Sequence, residues 1–140
     1  MITPPPVGRA QQEPDAIAPD GSEIRLLATG VQGATRASVC EVCLAPGAVS
    51  RPVLHRSVEE IWYVIEGRGQ VWRCPPGSEA DAVDVKPGDT LVIPTGWRFQ
   101  FRAASDSDSA LRFLCFTSPP WPGPDEARPA ESGGLGEATI

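Results

Sequence analysis

Residues 47–67 read GAVSRPVLHRSVEEIWYVIEG, and this stretch decides the fold. Apolar and polar residues alternate on both sides of a short turn at residues 56–58, which is typical of two β-strands joined by a turn. His55, the single histidine of the chain, ends the first strand, and Glu60 lies near the start of the second. An imidazole and a carboxyl group that face each other across such a turn can transfer protons or bind a metal ion.

The rest of the chain continues the same pattern. Short apolar runs are separated by turns rich in glycine and proline, and no helix of more than two turns is predicted. So many short strands favour a β-sandwich, a jelly roll or a small barrel. The predicted strands are 22–29, 34–45, 48–55, 59–66, 70–74, 82–86, 90–93, 97–102 and 110–116.

Composition narrows the class of protein. A chain of 140 residues is expected to form one domain with one core. Its net charge of -6 argues against a nucleic-acid partner, which would require a basic surface. No apolar run is long enough to span a membrane or to form the core of a signal peptide, so a cytoplasmic location is expected.

The two ends of the chain differ from its centre. Residues 1–20 contain five prolines and little that could be buried, and they are predicted to be a flexible arm or an arm that packs on a neighbouring subunit. Residues 21–118 are predicted to form the barrel, and residues 119–140 an irregular tail rich in proline and glycine.

The four cysteines do not form an obvious metal or disulfide motif. Cys40 and Cys43 have the spacing of a metal-binding pair, but they lie in a predicted strand, where a separation of three directs their side chains to opposite faces. Buried free thiols are the expected state.

The spacing in residues 47–67 resembles the first motif of the cupin superfamily, G-x5-H-x-H-x3,4-E-x6-G. Gly47 and Gly67 match its two glycines. His55 occupies the second histidine position and Glu60 the glutamate position, whereas Val53 replaces the first histidine. The motif also allows three residues between the second histidine and the glutamate, and that spacing would place the neighbouring Glu59 at the glutamate position.

The second cupin motif, G-x5-P-x-G-x2-H-x3-N, resembles the residues that begin at Gly88. Pro94 and Gly96 match, whereas Phe99 stands at the histidine position and Ala103 at the asparagine position. The resemblance implies an all-β fold, the double-stranded β-helix or jelly-roll barrel. The sequence PPWPGPDEA in the tail also resembles the tails of some small single-domain cupins, but no chemistry is attached to it.

The departures from the motifs bear on metal binding. The resemblance implies that metal-bearing cupins bind their ion with three histidines and one glutamate, of which this chain keeps only His55 and Glu60. Valine and phenylalanine have no lone pair to donate, so the usual transition-metal site is not expected. A weak divalent metal site on His55 and Glu60 remains an alternative, and no other cofactor is predicted.

The leading hypothesis is therefore metal-independent acid–base catalysis of the isomerase, epimerase, cyclase or lyase type on a small molecule. His55 is predicted to act as the general acid or base, with Glu60 orienting and charging it. Strand alternation predicts an apolar and aromatic pocket around the pair, with an arginine at its mouth that could bind an anionic group. The predicted substrate-binding residues are Arg51, Val53, Trp62, Phe99 and Phe101.

Three alternatives remain open from the sequence. The chain is a non-catalytic ligand-binding or sensor cupin, or its weak metal site supports a dioxygenase-like or lyase activity, or His55 and Glu60 are an inert polar pair. Small cupins commonly pair through their sheets, so the resemblance also implies a homodimer. The outward residues Ile61, Tyr63 and Ile65 are the predicted contact surface.

Overall fold

The computed structural model describes residues 2–140 and consists almost entirely of β-strands. One 3-10 turn, Gly30–Gln32, is the helical element among the described residues, and none of these residues forms a helix long and apolar enough to cross a bilayer. The strands are β1 (Ala16–Ile17), β2 (Glu23–Ala28), β3 (Ser38–Leu44), β4 (Val53–His55), β5 (Glu59–Glu66), β6 (Gly69–Cys74), β7 (Val83–Val85), β8 (Thr90–Ile93), β9 (Arg98–Ala103), β10 (Leu111–Ser118) and β11 (Ala127–Pro129).

The strands form two antiparallel sheets that face each other. The first sheet has the order β1-β2-β3-β10-β5-β8 and the second has the order β11-β4-β9-β6-β7. This arrangement confirms the predicted all-β jelly-roll barrel. Because β4 belongs to the second sheet and β5 to the first, the turn at residues 56–58 carries the chain from one sheet to the other.

Alternation along the strands decides which side chains fill the interior. In β5, Glu60, Trp62 and Val64 are buried, whereas Ile61 and Tyr63 are exposed on the outer face. The indole of Trp62 stacks on Phe113 with ring centroids 4.0 Å apart. Two further aromatic rings meet Trp62 edge-on, at 5.7 Å for Phe99 and 5.2 Å for Phe101. An aromatic cluster therefore fills the middle of the barrel.

The glycines of the two motifs occupy turns with left-handed backbone geometry. The φ angles of Gly47, Gly67, Gly88 and Gly96 lie between 77° and 95°, a region that residues with a side chain rarely adopt. At Gly96 this geometry has a direct structural use, because its N–H donates to the backbone oxygen of His55 at 3.0 Å. The second motif thus helps to fix the end of β4.

Three elements differ from the sequence prediction. The strand predicted over 48–55 is confined to Val53–His55, because Pro52 has no N–H for the sheet and Val49 makes only an isolated bridge to Arg102. β1 lies within the predicted arm and pairs with β2.

β11 lies within the tail that was predicted to be irregular, and it pairs with β4 in a register that places Ala127 opposite His55. Both β1 and β11 use the free backbone groups of a neighbouring strand rather than a buried side-chain face. Apolar alternation therefore gave no signal for either of them.

Candidate functional site

His55 and Glu60 meet inside one end of the barrel. His55 is the last residue of β4, and Glu60 is the second residue of β5, paired with Ile93 and Thr117 in the neighbouring strands. The intervening turn crosses between the sheets, so the two side chains approach each other from opposite sheets. Both are buried, with 5% of His55 and 6% of Glu60 exposed.

The hydrogen bonding of this pair is incomplete. Glu60 Oε1 accepts a hydrogen bond from Trp62 Nε1 at 2.9 Å. Glu60 Oε2 lies 3.6 Å from His55 Nδ1, which is too far for a hydrogen bond. Within residues 2–140, Nδ1 is a buried side-chain nitrogen without any hydrogen-bond partner. A partnerless buried polar atom costs stability, so it marks a position where a ligand or water would be bound.

Burial controls the protonation of both groups. Desolvation raises the pKa of Glu60 to about 7, because the charged carboxylate is disfavoured away from water; the hydrogen bonds from Trp62 and Cys115 act in the opposite direction. Desolvation also lowers the pKa of His55 to about 4, although the carboxylate of Glu126 partly offsets this. Near neutral pH the imidazole is therefore uncharged, and Glu60 is the group that gains and loses a proton.

Aromatic rings enclose the imidazole. Phe99 meets the ring of His55 edge-on at 5.1 Å, and Trp121 from the C-terminal tail meets it edge-on at 5.2 Å. Phe99 also contacts Trp62, which in turn binds Glu60. The pair therefore lies in an apolar shell that explains the direction of both pKa shifts.

The carboxylate of Glu126 holds the turn between the two site residues. Its Oε1 accepts hydrogen bonds from the backbone N–H groups of Ser57 at 2.6 Å and Val58 at 2.7 Å, and its Oε2 accepts one from the Ser57 hydroxyl at 2.8 Å. Burial alone would raise the pKa of Glu126, but these hydrogen bonds lower it, so the group is a carboxylate at neutral pH. This anchor fixes the separation between His55 and Glu60.

The predicted substrate-binding residues have different surroundings. Val53, Trp62, Phe99 and Phe101 are all buried in the core, and of these Phe99 touches His55. Arg51 does not join them: its side chain is exposed, and its Nε donates to the backbone oxygen of Ile140 at 2.8 Å. The structure therefore places no arginine at the predicted anion-binding position.

Sequence reasoning missed Trp121, Glu126 and Cys115. The first two lie in the PPWPGPDEA segment, where a tryptophan between prolines and an acidic residue without a partner in sequence were the available signals. Cys115 lies two positions from Thr117 in β10, so alternation directs both side chains inward, and its thiol contacts Glu60. No pattern in the sequence indicated that contact.

A groove lies elsewhere on the molecule. It has a volume of about 890 Å³ and is located at the opposite end of the strands, beyond the end of β5. Its lining mixes both charges, including Arg68, Lys86, Asp89 and Arg102, and it contains none of the predicted site residues.

The donor atoms at the site do not fit a four-ligand metal centre. His55 and Glu60 supply an imidazole and a carboxylate, whereas the facing positions are the hydrocarbon side chains of Val53 and Phe99. Among residues 2–140, no group of three or more histidine, cysteine, aspartate or glutamate side chains is arranged to hold an ion. No catalytic step is therefore assigned to a metal here.

Comparison with known proteins agrees with the fold and the motif. The family model described as Cupin matches residues 11–121. An uncharacterized protein of Methanocaldococcus jannaschii, MJ1618, is 30% identical over 106 residues, which cover 75% of this chain and 79% of that protein. The chain belongs to the cupin family.

Solved structures share the barrel. The polyketide cyclase RemF from Streptomyces resistomycificus superposes with a TM-score of 0.62 and 24% identity, covering 88% of this chain and 80% of RemF. Oxalate decarboxylase from Bacillus subtilis gives a TM-score of 0.69 and 18% identity over 87% of this chain, which spans only 30% of the decarboxylase chain. At these identities the likeness concerns the fold alone.

The protonation states can be tested directly, because the single histidine gives one set of imidazole signals in an NMR titration. We expect the ring of His55 to protonate with a midpoint near pH 4, and its signals to shift a second time near pH 7 as Glu60 ionises. Glu60→Gln should remove the second step, whereas the neighbouring exposed carboxylate variant Glu59→Gln should retain it. A single titration midpoint near the ordinary pKa of histidine would contradict the conclusion that burial sets the pKa values of His55 and Glu60.

Proposed function

We propose that this cupin catalyses a metal-independent proton transfer on a small, uncharged molecule, of the isomerase, epimerase, cyclase or lyase type. The observation that supports this function is the buried pair itself: Glu60 with a pKa of about 7 beside the partnerless Nδ1 of His55. A group whose pKa is close to the working pH is suited to general acid–base catalysis, because both of its forms are populated.

The proposed roles of the two residues differ from the sequence hypothesis. Glu60 is the acid or base, because its proton is the one that exchanges near neutral pH. Neutral His55 accepts a hydrogen bond from the substrate and orients it. Glu60 takes a proton from one position of the substrate and returns that proton to another position in the second half of the reaction. The hydrogen bond from Trp62 keeps the carboxyl group facing the imidazole while it changes charge.

The surroundings of the pair favour an uncharged substrate. Glu126 is ionised close to His55, and Asp20 and Glu126 both act to raise the pKa of Glu60, so an anionic substrate would meet like charge. Arg51, which could have offset that charge, binds the end of the chain instead. Aromatic rings on both sides of His55 suit a flat, apolar substrate.

The test is proton exchange into small molecules. The protein is incubated in heavy water with a panel of uncharged, enolisable carbonyl compounds, and deuterium uptake at carbon is followed by mass spectrometry. We expect Glu60→Gln to lower the exchange rate by about 100-fold or more, the range of one general acid–base group. His55→Ala should also lower it strongly.

Glu59→Gln is the matched control, because it changes an exposed carboxylate one residue away and should keep the wild-type rate. Circular dichroism confirms that each variant is folded. Wild-type exchange in both site variants would contradict the proposed roles. Saturable binding of a panel compound without exchange would favour the ligand-binding or sensor alternative.

The weak metal site has its own test. Metal analysis of the purified protein after dialysis is expected to give a substoichiometric content of iron, manganese, nickel and zinc, because no three candidate ligand side chains among the described residues are arranged to hold an ion. Adding each ion to the exchange assay should leave the rate unchanged. A stoichiometric ion that survives dialysis, and is lost in His55→Ala, would favour the metal-dependent alternative.

We further propose that the chain forms a homodimer through the outer face of its first sheet. Four apolar side chains lie side by side across this face in the register of the strands: Val39, Phe116, Ile61 and Val92. Three of them are 41–45% exposed, and Tyr63 beside them is 42% exposed. A continuous apolar row of this kind on an antiparallel sheet suits packing against an identical face.

Ile61→Glu should convert the dimer to a monomer, because it places a charge in the centre of the row. The measurement is the molar mass by light scattering after size-exclusion chromatography. Val31→Glu is the control, since Val31 is 80% exposed on the 3-10 turn away from this face. A dimer that persists in Ile61→Glu would contradict the proposed interface.

A further inference from the structure

The segment PPWPGPDEA, which had no assigned role, crosses the end of the barrel that holds the candidate site. We call residues 119–126 the strap. Its Trp121 covers His55, with ring centroids 5.2 Å apart, and Trp121 is itself 38% exposed. One side of the indole therefore faces the imidazole while the other side is accessible from outside. Trp121 thus forms part of the cover between the imidazole and solvent.

The strap is attached firmly at its rear end. Glu126 is 4% exposed and accepts three hydrogen bonds from the turn that follows His55. Its backbone oxygen also accepts a hydrogen bond from the N–H of Arg56 at 3.0 Å, and β11 continues directly into pairing with β4. Movement at this end would require breaking several buried hydrogen bonds at once.

The front end of the strap, at Trp121, is held by fewer contacts than the rear end. The N–H of Trp121 donates to the hydroxyl of Ser38 at 3.0 Å, and the ring contact with His55 adds an edge-on aromatic interaction. Between the two ends, the hydrogen bonds found for residues 122–125 are made within the strap or to Arg128 of β11, and none reaches the rest of the barrel in the described structure.

The middle of the strap has room to move. A cleft of about 330 Å³ lies beside it, lined by residues 122–126 together with Arg56 and Ser57. Gly123 has a φ of 137°, a backbone conformation that residues with a side chain rarely adopt, and no heavy atom lies within 4 Å of the position that a Cβ would occupy. A glycine between a weakly held tryptophan and a firmly held glutamate is the arrangement of a hinge.

We infer that the strap is a lid and that Trp121 is the gate of the His55–Glu60 site. Trp121 swings away about Gly123 while Glu126 stays in place, a flat apolar ligand enters against His55, and the indole closes over it. The ligand class in this inference rests on the proposed function. The motion itself does not, and the test below measures the motion without any turnover.

The probe is diethyl pyrocarbonate, which acylates an uncharged imidazole nitrogen and can modify one histidine in this chain. The rate of His55 modification at neutral pH, followed by mass spectrometry of the intact protein and its peptides, measures access through the gate. Removing the indole in Trp121→Ala should raise that rate by about 10- to 100-fold, as expected if the open form is a minor population of about 1–10%.

Two comparisons make the result specific. Trp121→Phe should stay within about twofold of the wild type, because a smaller ring still covers the imidazole. Val31→Ala should leave the rate unchanged, since it removes an apolar side chain that is 80% exposed on the 3-10 turn, outside both the strap and the proposed dimer face. An unchanged rate in a folded Trp121→Ala, or a wild-type rate equal to that of free acetylhistidine, would overturn the gate.

Hydrogen exchange gives a second measurement that needs no variant. The amide of Trp121, which donates to Ser38, should exchange well before those of β11, because Glu126 and the pairing with β4 hold the rear end while the front end opens. Equally slow exchange in both segments would overturn the lid even if Trp121→Ala fails to fold. If the access measurements show that the gate opens but the protein has no proton-exchange activity, the proposed function is contradicted and the inference of a lid still stands.

Discussion

Three hydrogen bonds to one carboxylate hold the geometry on which the candidate site depends. Glu126 binds the backbone of Ser57 and Val58 and the hydroxyl of Ser57, in the turn that carries the chain from one sheet to the other. That turn sets how far His55 on β4 lies from Glu60 on β5. Because Glu126 also begins the segment that pairs with β4, the same side chain positions both the pair and its cover.

Desolvation then decides what the pair can do. An imidazole and a carboxyl group in water would both be charged between about pH 4.3 and pH 6.5 and would attract each other. Inside this barrel, aromatic rings surround them, and no cation among residues 2–140 is close enough to keep the acid ionised. The outcome is a neutral histidine beside an acid that titrates near neutral pH, so the roles expected from ordinary pKa values are exchanged.

Much of the fold was predictable because strand alternation and turn glycines are local signals. The boundaries of β5 and β8, the inward direction of Trp62, and the turns at Gly67 and Gly96 all follow from residues close together in sequence. The direction of Arg51 was not predictable, because alternation fails where Pro52 interrupts the strand and because its partner is the backbone of the last residue. β11 was not predicted for a related reason. It pairs with the edge strand β4 through backbone groups, and because every residue type except proline has these groups, the sequence carries no signal for the pairing.

The sequence alone determined the barrel, the family resemblance, and the valine and phenylalanine at two histidine positions of the motifs, because each of these is written in the identity and spacing of nearby residues. The tertiary structure alone decided that Glu60 rather than His55 exchanges its proton near neutral pH, and that Trp121 covers the imidazole. Both depend on contacts between distant parts of the chain. One example is the hydrogen bond from Val58 to Glu126, which lies 68 residues away in sequence. Desolvation is set by everything that packs around a group, and no local pattern encodes it.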